Sequence, residues 1–309
     1  MPNLLLGVLR PAIVGPPVTG LAGYVCGGEE EFLGTPTDTV FKVALPIDTW
    51  STTTSAPDVI LLGAGFSDDG VAGYCGQGEF SDELYKWTLP TDSSSRTTDI
   101  PQVMEFFGAF SNRGVAGYMA SGDGSSFTDL YRLAYPTDSF TSPTSTTVPQ
   151  ENNGGDADPG VAGYMPRNGL IAPNGVWNKV ALPTESFSFI GTFLFRQFTE
   201  APSVFCDPGV RIYATSAIPE GFMDLNTLSL PTDSAGVDGI SPGPDQTLFM
   251  SGFANDGVAG YAQIGFDESG STSFVSDEVY KKGFTTGTSS VAPNMPGVKA
   301  GAGAFANMG

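Results

Sequence analysis

A pentapeptide recurs along this chain at an almost fixed interval. Gly-Leu-Ala-Gly-Tyr occupies 20–24, and Gly-Val-Ala-Gly-Tyr occupies 70–74, 114–118, 160–164 and 257–261. A worn sixth copy, Gly-Val-Arg-Ile-Tyr, stands at 209–213. The first glycines of successive copies lie 50, 44, 46, 49 and 48 residues apart. Self-similarity at such a period marks a repeat architecture, in which each unit buries its apolar faces only by stacking on its neighbours. Residues fixed in every copy therefore belong to the scaffold, and function is sought where the repeat varies.

Each unit carries three strand-like runs. The first precedes the pentapeptide, as in Gly63-Ala64-Gly65-Phe66 and Ser251-Gly252-Phe253. A turn such as Ser67-Asp68-Asp69-Gly70 follows, where Asp bonds its own backbone and Gly supplies a positive φ. The pentapeptide opens a second strand, whose small residues let neighbouring sheets approach closely. The third, Leu84-Tyr85-Lys86-Trp87-Thr88-Leu89 in one copy, is aromatic and β-branched. It ends at Pro-Thr-Asp-Ser or a near variant, and a Ser- and Thr-rich run beyond it reads as a polar edge strand. Four antiparallel strands per unit make one blade, so the expected fold is all-β, a six-bladed β-propeller. The last residues, Gly-Ala-Gly-Ala-Phe-Ala-Asn-Met-Gly at 301–309, match the segment that precedes a pentapeptide. Residues from Gly20 onward lack a clear first strand. The C-terminal strand is thus expected beside 21–25, closing a ring of residues 20–309. Residues 1–19 form an N-terminal arm whose apolar Leu4, Leu5 and Leu6 need burial, either as an extra strand or on another subunit.

Composition narrows the function classes. Thirteen Lys and Arg face 33 Asp and Glu, a formal charge of −20. Such a surface repels nucleic acid and anionic membranes, and neither is an expected partner. With 40% hydrophobic residues and 22 Phe the chain has ample material for a core. It has no histidine, which removes His-based triads, His general bases and His-ligated zinc. Cys26, Cys75 and Cys206 have neither an even count nor CxxC spacing, and read as small buried apolar residues. Relative to their pentapeptides, Cys26 and Cys75 fall on opposite strand faces. The N-terminus lacks a basic start and is broken by Pro2, Gly7 and Arg10, so it is a poor signal peptide. No run approaches the ~18 apolar residues of a membrane span.

The unit resembles the kelch type of propeller repeat. In that pattern a hydrophobic strand ends in Gly-Gly, as in Tyr24-Val25-Cys26-Gly27-Gly28, and Trp50 is a counterpart of the usual Trp after the turn. The wording Gly-Val-Ala-Gly-Tyr with Leu-Pro-Thr-Asp-Ser looks more like the propeller repeats of virion proteins of tailed phages. That resemblance implies a non-enzymatic structural role in the virion, in the tail or fibre or on the capsid surface. It implies other virion proteins as partners, a host-surface glycan or receptor as target, and membership of a homo-oligomer or larger assembly. The alternative is a carbohydrate-binding or glycan-processing propeller of a bacterial surface, extracellular rather than in a particle.

The recurrent tyrosines Tyr24, Tyr74, Tyr118, Tyr164 and Tyr261 could form a sugar-binding ring, but their fixed position favours packing. Lys42, Lys86, Arg132, Lys179 and Lys281 also recur at one position. They are read as one ion pair per repeat with the acidic turn residues Asp48, Asp92, Asp138 and Glu185, rather than as a ring gripping an anion. The Ser67–Gly70 turn is one residue too short for a sialidase box, and no spacing singles out a carboxylate pair. Acidic stretches at 151–158 and 267–268 offer calcium ligands without an EF-hand pattern and read as solvated loops, so no cofactor is expected. The irregular parts remain as binding surface: the arm with Leu4, Leu5 and Leu6, the long blade-four loop with Arg167 and Trp177, and the apolar run with Phe193 and Phe195 before the worn repeat.

Overall fold

The computed structural model describes residues 21–30, 34–78, 81–103, 108–120, 129–145, 154–167, 176–182, 184–192, 202–217, 223–230, 232–241, 247–248, 251–267 and 274–308. These residues form six four-stranded antiparallel sheets, the blades of a propeller. Blade 2 shows the plan, running from the innermost strand Ala64–Asp68 through Ala72–Gly76 and Leu84–Thr88 to the outermost Ser93–Arg96. Blades 3 to 6 start at Gly108–Asn112, Asp156–Asp158, Val204–Asp207 and Ser251–Asn255. A small three-stranded sheet of Thr247–Leu248, Phe266–Asp267 and Phe274–Val275 is added from the connections around blade 6.

Blade 1 is assembled from both ends of the ring. Its innermost strand is Gly303–Asn307, paired with Ala22–Cys26 in the register Ala22 to Asn307, Tyr24 to Phe305 and Cys26 to Gly303. The closure expected from the repeat pattern is therefore present: the C-terminal strand covers the edge that Ala22–Cys26 would otherwise leave open. Residues 1–19, with Leu4, Leu5 and Leu6, lie outside the described residues.

The core is distributed between blades rather than gathered at one centre. One cluster joins Phe66 and Tyr74 of blade 2 to Met119 and Leu133 of blade 3, and the other seams are filled in the same manner. At five of six seams the phenyl ring of one innermost strand lies on the second glycine of the next blade's pentapeptide. Phe305 covers Gly73, Phe66 covers Gly117, Phe110 covers Gly163, Phe205 covers Gly260 and Phe253 covers Gly23. A Cβ on any of these glycines would stand inside the ring. The same phenyl rings stack on the tyrosine beside them in their own blade, with centroids 4.7–5.2 Å apart. The pentapeptide thus encodes a socket (Gly) and a stacking surface (Tyr), and burying each phenyl contributes about 1.5–3 kcal/mol. The tyrosines are packing residues, as their regularity implied. Cys26 and Cys75, on opposite faces of their own blades, meet in one cluster across the seam between blades 1 and 2. Burial pushes the Cys26 thiol well up, in keeping with an inert apolar role.

Candidate functional site

Strand direction alternates across each blade. The turn before the pentapeptide and the Pro-Thr-Asp turn therefore share one end of the ring, here the turn end. The remaining connections share the other, the loop end.

At the turn end each tyrosine hydroxyl and each recurrent cation converge on the acid of the next blade's turn. Asp92 accepts hydrogen bonds from Tyr24 Oη and Lys42 Nζ, at 2.7 and 2.6 Å. The same pairing joins Lys86 to Asp138, Arg132 to Glu185, Lys179 to Asp233 and Lys281 to Asp48, at 2.5–3.1 Å. Each of the four lysines also lies 5.3–5.5 Å from the centroid of its own blade's tyrosine, a cation–π distance. The recurrent cations are therefore interblade clasps, already engaged and not available to an anion. Burial and the adjacent carboxylate hold these tyrosine hydroxyls well above their ordinary range. The acids sit in the left-handed region, with φ of 47–56°. That conformation is strained for any residue with a side chain, Glu185 more than the aspartates. A third link is polar: the N–H groups of Gly70, Gly114, Gly160 and Gly209 each donate to an Asx side chain of the preceding blade, Asn307, Asp68, Asn112 and Asp158. Within the Ser67–Gly70 turn, Asp68 is thereby committed to structure.

Two seams depart from the pattern, each on both sides at once. Between blades 5 and 6 the cation position holds Thr227, opposite Tyr213, and the acid position holds Gly287 with φ of 64°. Where no carboxylate is needed, the left-handed position reverts to glycine. Phe284 stacks on Tyr213 at 5.5 Å, and Lys282 and Arg211 reach Asp238. Between blades 4 and 5 the phenyl position holds Asp156, opposite Tyr164, and the socket glycine is Ile212. Ile212 is fully buried with Tyr164 and Trp177, filling the volume a phenyl ring takes elsewhere. Tyr164 has the longest of the tyrosine–acid contacts, 3.4 Å.

Asp156 lies deep in the ring and opens onto an axial cavity of about 50 Å³, room for a few waters. Burial raises its carboxyl to about 7, against the N–H of Ala157 at 2.8 Å and the charge of Arg113. The turn-end mouth of this cavity is crossed by Arg113. From blade 3 its guanidinium pairs with Asp69 of blade 2 at 2.9 Å and bidentately with Asp256 of blade 6, on the opposite side of the ring. Burial raises the Asp69 carboxyl, and Arg113 opposes that rise. The backbone N–H of Met308, on the closing strand's end, donates to Asp69 at 3.3 Å. Sequence reasoning missed this network. The available signal was a turn position that varies among Asp69, Arg113, Pro159, Pro208, Asp256 and Met308 while its neighbours stay fixed.

The ends differ in charge. Lys42, Lys86, Arg113, Arg132, Lys179, Arg211, Lys281 and Lys282 all make their ion pairs at the turn end, eight of the 13 Lys and Arg. Among the described residues the loop end carries Glu30, Asp38, Asp58, Asp82, Glu83, Asp99, Asp277 and Glu278, with Arg96 and Lys299 as their ion-pair partners.

The binding-surface residues expected from sequence fare unevenly. Trp177 is a correction: it is fully buried against Tyr164 and Ile212, because its strand, Val176–Ala181, extends further than the loop reading assumed. Arg167 ends the facing strand with its backbone paired to Val176. Phe193 and Phe195 lie outside the described residues. Among the described residues, no three metal-ligating side chains cluster.

No family model matches the chain, and no curated protein matches it. Among solved structures, the crystal structure of a nidogen/laminin complex contains a similar chain, with a TM-score of 0.63 and 10% identity. The likeness covers 93% of this chain and 98% of that one, and at this identity it concerns the fold alone.

Proposed function

We propose that this chain is a non-enzymatic structural component of a tailed-phage virion, in the tail or fibre or on the capsid surface. In this reading it docks on other virion subunits or adheres to the host surface. The closed axis is the observation that carries the non-enzymatic part. The centre of the ring, where blades converge and a substrate could be held, is crossed by the Arg113 ion pairs over only about 50 Å³. Substrate pockets occupy roughly 300–1,000 Å³. In this reading the ring works through its outer surfaces. The phage-like wording of the repeat, Gly-Val-Ala-Gly-Tyr with Leu-Pro-Thr-Asp-Ser, supports the virion assignment. Mass spectrometry of gradient-purified particles from the source of this chain tests it. Recovery in stoichiometric amounts with the capsid and tail proteins is expected. Recovery only in the soluble fraction would sink the virion role, and a turnover signal on a glycan library would sink the non-enzymatic one.

A further inference from the structure

The second residue of the pentapeptide is apolar in all six blades and exposed in five; Leu21 of blade 1 is partly buried. Val71, Val115, Val161, Val210 and Val258 are 46–55% exposed, and Leu21 takes the place in blade 1. These positions follow the turn glycines and so form a ring around the Arg113 mouth at the turn end. Ile47, the most exposed large apolar side chain among the described residues, stands in the Pro-Ile-Asp turn at the same end, where most blades have Thr.

Packing inside the ring does not require these valines. Their structural service is made by the backbone, whose carbonyls accept the N–H of Leu89, Tyr135, Leu182 and Leu230. A polar side chain would serve as well at half exposure. The worn blade 5 makes the point independently: it has replaced the Ala and Gly of the pentapeptide by Arg211 and Ile212 and yet keeps Val210. An exposed apolar position kept in every blade, without need from packing inside the ring, is accounted for by a contact surface.

We infer that the turn end is a self-association face, on which two copies of this chain pack valine ring against valine ring. Charge selects a second copy as the occupant. A chain of net charge −20 repels its own kind, and the described loop end is acidic with few cations. The turn end is the exception, because most of the chain's cations are paired there with acids around the rim. An isologous contact requires a patch complementary to itself. An apolar ring bordered by eight ion-paired cations and only a small excess of acids comes near that requirement, where the acidic loop end does not.

Sedimentation velocity on the full chain at about 50 mM and about 500 mM salt tests the inference. The wild type is expected at twice its 32.1 kDa mass, with at least a tenfold tighter dissociation constant at high salt as self-repulsion is screened. The variant Val71→Ser/Val161→Ser/Val258→Ser changes no net charge and alters no member of the buried apolar clusters. It is expected to sediment at the chain mass with an unchanged melting temperature. Two results would overturn the inference: a wild type that stays monomeric at about 100 µM in high salt, or a dimer that the triple Ser variant leaves intact. A second triple variant, with Asp at the same three positions, keeps the test sharp. Its dimer should be lost at low salt even where Ser only weakens it, and persistence there also counts against the face.

Discussion

Replacing Asp156 by Phe and Ile212 by Gly in the same chain would restore the repeat at the seam between blades 4 and 5. Each change alone should damage it. Ile212 is fully buried, and its truncation to Gly empties the space that a phenyl ring fills at the other seams. Truncation of a buried Ile costs about 2–5 kcal/mol, and a strand glycine adds about 0.5–1, so Ile212→Gly should lose about 3–6 kcal/mol. Asp156→Phe alone drives a phenyl ring toward the Ile212 side chain. Even a Cβ at this position would lie inside the ring at the five regular seams, so overpacking should cost about 1–3 kcal/mol or more. Were the sites independent, the double variant would lose the sum. Here it should instead form the socket seen at Gly163 and Gly260, stack the new ring on Tyr164, and remove a partly buried carboxylate. A coupling free energy of at least about 3 kcal/mol is expected, with the double variant close to the wild type. Urea unfolding read by the fluorescence of Trp177, which packs beside Ile212, gives all four corners of the cycle. Additivity within about 0.5 kcal/mol would refute the view that the two departures are one compensated exchange.

Three further outcomes follow from the same geometry. Asp156→Asn should remove a pH dependence: the unfolded carboxyl titrates near 3.9 and the folded one at about 7, so the native state alone holds the proton between those values. Wild-type stability therefore falls as pH rises through that window. The variant should gain up to about 4 kcal/mol over wild type at pH 8 and nothing near pH 4; a pH-independent difference would contradict the buried charge. Arg113→Ala leaves Asp69 and Asp256 without the cation they share and should lose roughly 1.5–3 kcal/mol at neutral pH. The deficit should shrink in acid as the raised Asp69 carboxyl protonates, whereas a constant deficit would assign it to packing. Thr227→Lys with Gly287→Asp rebuilds the missing clasp between blades 5 and 6, and a thermal-melt cycle should show favourable coupling of about 1 kcal/mol. Zero coupling there would mean that the clasps at the other seams contribute little.

The fold was legible in the sequence because each blade repeats the same local signals. Spacing of the pentapeptide set the number of blades, and the unfinished repeat at 301–309 set the closure. The role of the recurrent cations and tyrosines was legible for the same reason, since a feature present in every unit serves what every unit shares. What sequence could not decide is everything that depends on which residues face each other across the ring. Arg113 and Asp256 are 143 residues apart and share no local pattern, yet blades 3 and 6 stand opposite each other and their turns meet on the axis. Asp156 and Ile212 read as two unrelated losses until the seam shows that one fills the space the other vacated. Trp177 misled because its loop was long, while exposure is set by the blade packed against it. The exposed valines were hidden by their own regularity. Alternation along a strand tells inward from outward, but only the assembled turns reveal that the second residue of each pentapeptide comes to the surface around one mouth.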